Sequence, residues 1–391
     1  THRNRLATEL LILSGLSGDM DALLGAGRTV SNNADPETRL LAMATTQLAE
    51  GLTLSTSSAD DTYARGRQIV ESMGTDSLLF EQLEMSRVLV DLADGQFRDA
   101  RVRLGQSEGK AAPGSWLMIE AVMADAWSSA DGALRVAESA VSELESFDPT
   151  GNLSQAKLVA ELRLAQTRRA TPKEHAVEQP LDPAAAAIDH IMSQRAQAWY
   201  AWAVDDTTAG KLLIEVGREA VGLGHRFWGL LCFIDAIRLG NGEDVAADIE
   251  HLAITRGAGL ATMAGHYARS ETPGDLRTVA RMWWEAGAPT YAIEAAIRAV
   301  EPISLISSTR VQLMAAKGAE PVVGDVAVIE QPLSNRQVEI VLSVLGGASN
   351  REVADALFVS ERTVENHLHR AYQTLDISNG RDGLTDRFGW L

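Results

Sequence analysis

Residues Ser349 to Leu375 read SNREVADALFVSERTVENHLHRAYQTL. Asn350 is placed to cap a short helix whose apolar face is Val353, Ala354 and Leu357, and a tight connection through Phe358 and Val359 follows. Ser360 then offers a side-chain oxygen to the free amides of a second helix. In that helix Val364, Leu368, Ala371 and Leu375 recur at i, i+4, i+7 and i+11, which makes one buried stripe. Two short helices joined by a turn, the second polar on its outer side, is the helix-turn-helix pattern. Capping, turn and periodicity agree over one unbroken stretch.

At about 100° per residue, Arg362, Asn366, His369 and Gln373 point away from the stripe, with Glu365 and Arg370 flanking them. Asn and Gln can pair bidentately with adenine, and Arg with guanine or phosphate. An ordinary solvated face on a small helical domain has the same composition, so this helix alone leaves both readings open.

The surrounding sequence resembles the C-terminal DNA-binding domain of the LuxR family of bacterial transcription regulators. The resemblance rests on LSNRQVEIV at Leu333 to Val341, GASNREVA at Gly347 to Ala354, LFVSERTVENHL at Leu357 to Leu368 and YQTLDI at Tyr372 to Ile377. Four matches in order and correctly spaced carry a resemblance that spans Leu333 to Leu384. The resemblance implies a four-helix module whose third helix enters the major groove and whose fourth often dimerises. It also implies base reading by Glu365, Asn366 and His369, with Ser360, Thr363 and Arg370 near phosphates.

Some positions depart from the family pattern. Gln337 replaces a usual Glu, Thr374 stands where Lys is common, and Glu365 puts an acid on the reading face. An acid there can accept from cytosine N4 but repels phosphate. From Leu333 onward six arginines and no lysine stand against eight acids, a balance of −2. Such a module has little non-specific electrostatic affinity for nucleic acid, and dimerisation, a partner or activation would have to supply the rest.

The 391 residues are enough for two or three domains. Net charge is −18, so the preceding 332 residues carry −16 of it. An acidic body argues against broad contact with nucleic acid or anionic membranes. The lone Cys232 excludes an intrachain disulfide and fits a reducing cytoplasm. No long apolar run suggests a membrane span, and no signal-peptide pattern opens the chain. The first residues, THRNRL, lack Met, which suggests a missing front.

The body reads as all-α. Its first lobe, residues 1–170, holds helical patterns over Asn4–Leu13, Pro36–Glu50, Asp61–Ser72, Ser77–Leu92, Phe97–Gln106, Ser115–Ser129, Gly132–Ser146 and Leu153–Arg169. Asp35 is expected to cap the helix that Pro36 opens. Residues 171–183 (TPKEHAVEQPLDP) read as a linker, residues 184–317 as a second helical lobe, and 318–332 as a linker that frees the terminal module (333–391) to reposition. Gly95-Gln-Phe97-Arg-Asp-Ala100 and Gly132-Ala-Leu134-Arg-Val-Ala137 share G-x-hydrophobic-x-x-A, and Gly242 to Ala247 and Gly287 to Ala292 keep the Gly/Ala offset. The recurrence resembles tetratricopeptide-like repeats, against a plain irregular bundle.

Candidate effector contacts are Trp199, Trp202, Trp228, Trp283 and Trp284, which could stack on a flat ligand but more often fill a core. Phosphate-loop readings fail on spacing. Gly105 to Ala111 has three residues between its glycines and lacks the closing Ser or Thr, and Gly25-Ala-Gly27-Arg-Thr29 has no preceding strand. His367 and His369 lie about 200° apart on a helix and cannot clamp one metal ion. No nucleophile–base constellation is visible, so neither an enzyme nor a cofactor is expected.

The sequence therefore suggests a cytoplasmic DNA-binding regulator, dimeric on DNA, whose helical-repeat body senses a small molecule or protein and controls the terminal module. It is similar to the large ATP-binding, MalT-like LuxR-type regulators, without an ATPase domain in this chain. The alternative is a helical-repeat interaction scaffold with a degenerate helix-turn-helix.

Overall fold

Runs of Ala, Leu, Glu and Arg punctuated by Gly, Pro and Asp become helices wherever an apolar stripe finds a partner. The structure, a computed structural model, describes residues 20–29, 34–73, 78–105, 113–148, 151–168, 183–300, 305–324, 326 and 329–391. Every described element is helical.

The first compact unit extends to Arg269. It holds α1 (Met20–Thr29), α2 (Pro36–Leu52), α3 (Ala59–Met73), α4 (Leu78–Ala93), α5 (Phe97–Leu104), α6 (Pro113–Met123), α7 (Ala130–Ser146) and α8 (Leu153–Gln166). It continues through α9 (Pro183–Ala203), α10 (Ala209–Gly222), α11 (Arg226–Arg238), α12 (Gly242–Arg256) and α13 (Gly259–Ala268). The second unit, Ser270–Leu391, holds α14 (Pro273–Ala286), α15 (Pro289–Arg298), α16 (Leu305–Ala316), α17 (Asn335–Leu345), α18 (Asn350–Ala356), α19 (Glu361–Thr374) and α20 (Gly380–Phe388).

The expected helix over 4–13 and nearly all of the 171–183 linker lie outside the described residues, as do residues 106–111 of the rejected phosphate loop. One helix was not foreseen. α1 contains Gly25 and Gly27, yet Leu23 and Leu24 are buried and the helix packs on α2, so tertiary contact outweighs poor propensity. Asp35 caps α2 as expected, accepting from the Thr38 amide at 3.0 Å.

Within the first unit most helices pack on their sequence neighbours, and α2 also meets α4, α6 meets α8, and α11 meets α13. The α10–α11 crossing is set by two glycines. A Cβ on Gly229 would lie 2.8 Å from the carbonyl oxygen of Gly217, so only glycine allows the two backbones this close. Early helices also return to late ones, α2 to α11 and α4 to α13. The Gly/Ala recurrence is only partly equivalent in space. Gly95 occupies the α4–α5 turn at φ +74 and Gly287 ends α14 at φ +95, whereas Gly132 and Gly242 lie in the first turns of α7 and α12. Ala100, Ala137 and Ala292 are buried, but Ala247 is exposed.

In the second unit α14, α15 and α16 pack in sequence, and α16 contacts α17. Leu313 of α16 belongs to the same apolar cluster as Val341, Val364, Leu368, Leu384 and Phe388. Gln312 donates to the Leu333 carbonyl at 2.6 Å and accepts from the Leu333 amide at 3.2 Å. Glu294 accepts from the amides of Val322 and Val323. The segment read as a freeing linker is therefore tied to α15 at Val322 and Val323, and Leu333, the residue that follows it, is tied to α16. The reason is physical: its otherwise unpaired amides find buried side-chain acceptors.

Candidate nucleic-acid interface

The helix-turn-helix is built from local rules. Ser349, one residue before the expected Asn350, caps α18. Its hydroxyl accepts from the Glu352 amide at 3.2 Å, and Glu352 accepts from the Ser349 amide at 2.8 Å. This reciprocal box satisfies two free donors, which Asn350 at the first helical position cannot do. The chain turns through Phe358, held at φ +54, and the Val359 amide donates to the Ala354 carbonyl at 3.0 Å. Ser360 caps α19 as expected, accepting from the Thr363 amide at 3.1 Å. Val364, Leu368, Ala371 and Leu375 are all buried, which fixes the rotation of α19.

That rotation leaves Arg362, Glu365, Asn366, His369, Arg370 and Gln373 exposed, on the face opposite the stripe. Thr363 is half-buried, and its hydroxyl lies 2.8 Å from that of Ser360. These two hydroxyls engage each other, with lone pairs still available to an incoming group.

The six arginines of the module divide by environment. Arg336 donates to the Leu357 carbonyl, Arg381 to the Ala348 carbonyl and Asn350 side chain, and Arg387 to the Leu375 carbonyl, so these three hold turns in place. Arg351, Arg362 and Arg370 are exposed and have no carboxylate partner among the described residues. Three unpaired guanidiniums around the outer face of the motif are what a phosphate backbone requires, although the overall balance is −2. A feature missed in the sequence is Phe358, 94% exposed at the turn beside α19. Its position between the two caps, outside the spacing of either apolar stripe, was the available signal.

The tryptophans do not form one site. Trp199 is fully buried, packs edge-on against Trp202 at 5.1 Å and donates to Asp235 at 2.9 Å. Arg168 lies 3.9 Å above the Trp202 ring. Trp283 is buried against Tyr291, while Trp284 is partly exposed and donates to the Leu391 carbonyl. Trp228 lines a cavity of about 740 Å³ in the first unit, whose lining includes none of the other four. Leu41, Leu48, Met85, Met118 and Ile119 supply apolar wall, and Gln82, Asn152 and Gln155 supply amides. The Trp228 indole N–H is buried without a hydrogen-bond partner. Among the described residues no three His, Cys, Asp or Glu side chains stand together as a metal site.

The first unit also contains a buried charge network that pattern reading missed. Asp125 receives Arg163 at 2.9 Å and Arg238 at 2.7 Å, while Asp235 receives Arg238 at 3.1 Å and Arg195 at 2.7 Å. Burial works against ionised Asp125, but Arg163, Arg238 and Arg195 hold its carboxyl well below the usual range. Arg195 is likewise opposed by burial and held charged chiefly by Asp235. Burial pushes the neighbouring Cys232 thiol up to about 12, so it stays protonated. Spacings such as Asp235 and Arg238 were visible, but partners 113 residues apart were not.

Comparison with known families places the module. The family described as GerE, "Bacterial regulatory proteins, luxR family", matches residues 331–383. No curated protein and no solved structure matches the chain. Residues 331–383 thus form a LuxR-type helix-turn-helix domain, which supports a DNA-binding transcription regulator.

Proposed function

We propose that the protein is a sequence-specific transcription regulator that binds duplex DNA as a homodimer through α19. Base reading falls to Glu365, Asn366 and His369, and phosphate contact to Ser360, Arg362, Thr363 and Arg370. The observation that carries this is the outward polar face of α19, fixed by its buried stripe and flanked by unpaired arginines. With so small a cationic surface, affinity comes from base-edge contacts and from pairing two modules on one site. The helical body is the sensor. Its cavity of about 740 Å³ falls within the usual span for small-molecule sites and favours a largely apolar effector oriented by the Gln82, Asn152 and Gln155 amides.

The test is selection of DNA fragments by the full chain beside an Asn366→Ala/His369→Ala variant. Enrichment of a short palindromic sequence that the variant loses is expected. A folded, dimeric protein that enriches nothing would favour the interaction scaffold, whose motif binds protein instead of DNA.

A further inference from the structure

Four arginines gather within the second unit where the helical hairpins meet the terminal module. Arg277 and Arg281 are one turn apart and so share a face of α14, and Arg277 donates to Ser307 of α16 at 3.4 Å. Arg310, also on α16, donates to the Arg387 carbonyl at 3.1 Å and lies 5.6 Å over the Phe388 ring. Arg387 donates to the Leu375 carbonyl.

What the cluster lacks is a counter-charge. No carboxylate among the described residues lies within ion-pair distance of any of the four, whereas the buried arginines of the first unit all have one: Arg87 pairs with Asp91, and Arg163, Arg195 and Arg238 with Asp125 or Asp235. Arg310 shows the consequence. Burial, followed by the charges of Arg277, Arg387 and Arg281, pulls its guanidinium down to about 10. Its Nε is also buried with no hydrogen-bond partner. Guanidinium groups that repel one another and hold unused donors are completed by an oxyanion.

We propose that Arg277, Arg281, Arg310 and Arg387 form a binding site for a small, multiply charged phosphate compound, which joins α14 and α16 to α20 of the DNA-binding module. The site lies outside the Trp228 cavity and does not depend on the α19 assignments. An anion there bridges like-charged arginines of three helices, so occupancy stiffens the attachment of the module to the hairpins. A multivalent anion is favoured over a single carboxylate because three further arginines act on Arg310.

The experiment titrates the full chain with tripolyphosphate, following thermal unfolding and tryptophan fluorescence, with sodium chloride matched for ionic strength. Arg281→Glu is the informative variant: Arg281 is exposed, so folding is preserved, and the new carboxylate supplies the missing charge internally. In the unaltered chain tripolyphosphate should raise the unfolding temperature while matched chloride does not. Arg281→Glu should unfold at a higher temperature without ligand and bind tripolyphosphate at least about ten-fold more weakly. Arg281→Ala should weaken binding without the stabilisation. Equal tripolyphosphate response in all three proteins would overturn the site. A shallower salt dependence of DNA binding in Arg281→Glu would assign the arginines to the duplex backbone and also overturn it.

Discussion

Arginine has two different roles in the two units. In the first, Arg163, Arg195 and Arg238 are withdrawn from water and matched to Asp125 and Asp235, so their charge is spent on holding distant helices together. In the DNA-binding module, Arg351, Arg362 and Arg370 remain in water and unmatched, while the module's core is purely apolar. One residue type is thus architecture in the body, whereas in the module it divides between turn-holding Arg336, Arg381 and Arg387 and the three left available to a ligand. Burial and pairing decide which, since a buried charge left unpaired is costly and an exposed pair contributes little.

The sharpest test of that contrast is Arg238→Ala. It strips both buried aspartates of a partner and should destabilise the first unit by about 3–5 kcal/mol, measured by denaturant unfolding. A loss within a few tenths would mean that the network does not hold these helices. The mirror experiment is Asn366→Ala/His369→Ala, which should cost about 2–4 kcal/mol of specific DNA affinity in a salt-controlled binding assay. Thermal stability should not change, because both side chains are exposed.

Smaller effects sharpen the comparison. Ser360→Ala removes the α19 cap and should lower module stability by about 1 kcal/mol in chemical unfolding. Asp376 sits at φ +51, so Asp376→Gly should stabilise by roughly 0.5 kcal/mol, read as a higher unfolding midpoint. A pH effect belongs to the first unit. Burial lowers the pKa of His225, so the unfolded state takes up its proton first as pH falls. Stability should therefore drop as pH is lowered through about 6.5 and be unaffected by this group above it. His225→Gln should flatten that slope. The Asp125 carboxyl, held low, acts only at far more acid pH.

The module was almost wholly legible before any coordinates. Its stripe, its turn and the Ser360 cap are local features, and the exposed set on α19 follows from the helical repeat alone. The one-residue error at Ser349 arose because Ser and Asn are both good caps, and the choice depends on Glu352 reaching back. Most helices of the body were equally visible. α1 was not, because packing on α2 offsets its glycines. The five tryptophans were legible as core fillers or as ligand contacts, but which of them share a surface is not a property of spacing, and only Trp228 reaches the cavity.

By itself, then, the sequence determined helix class, most helix positions and the polar face of the terminal motif, because each depends on residues within a few turns of one another. Tertiary structure alone decided which charges are buried, where a cavity opens and which arginines are left without a partner. Those outcomes depend on side chains brought together from far apart in the chain, as Asp125 and Arg238 are. Desolvation acts only once such groups have met.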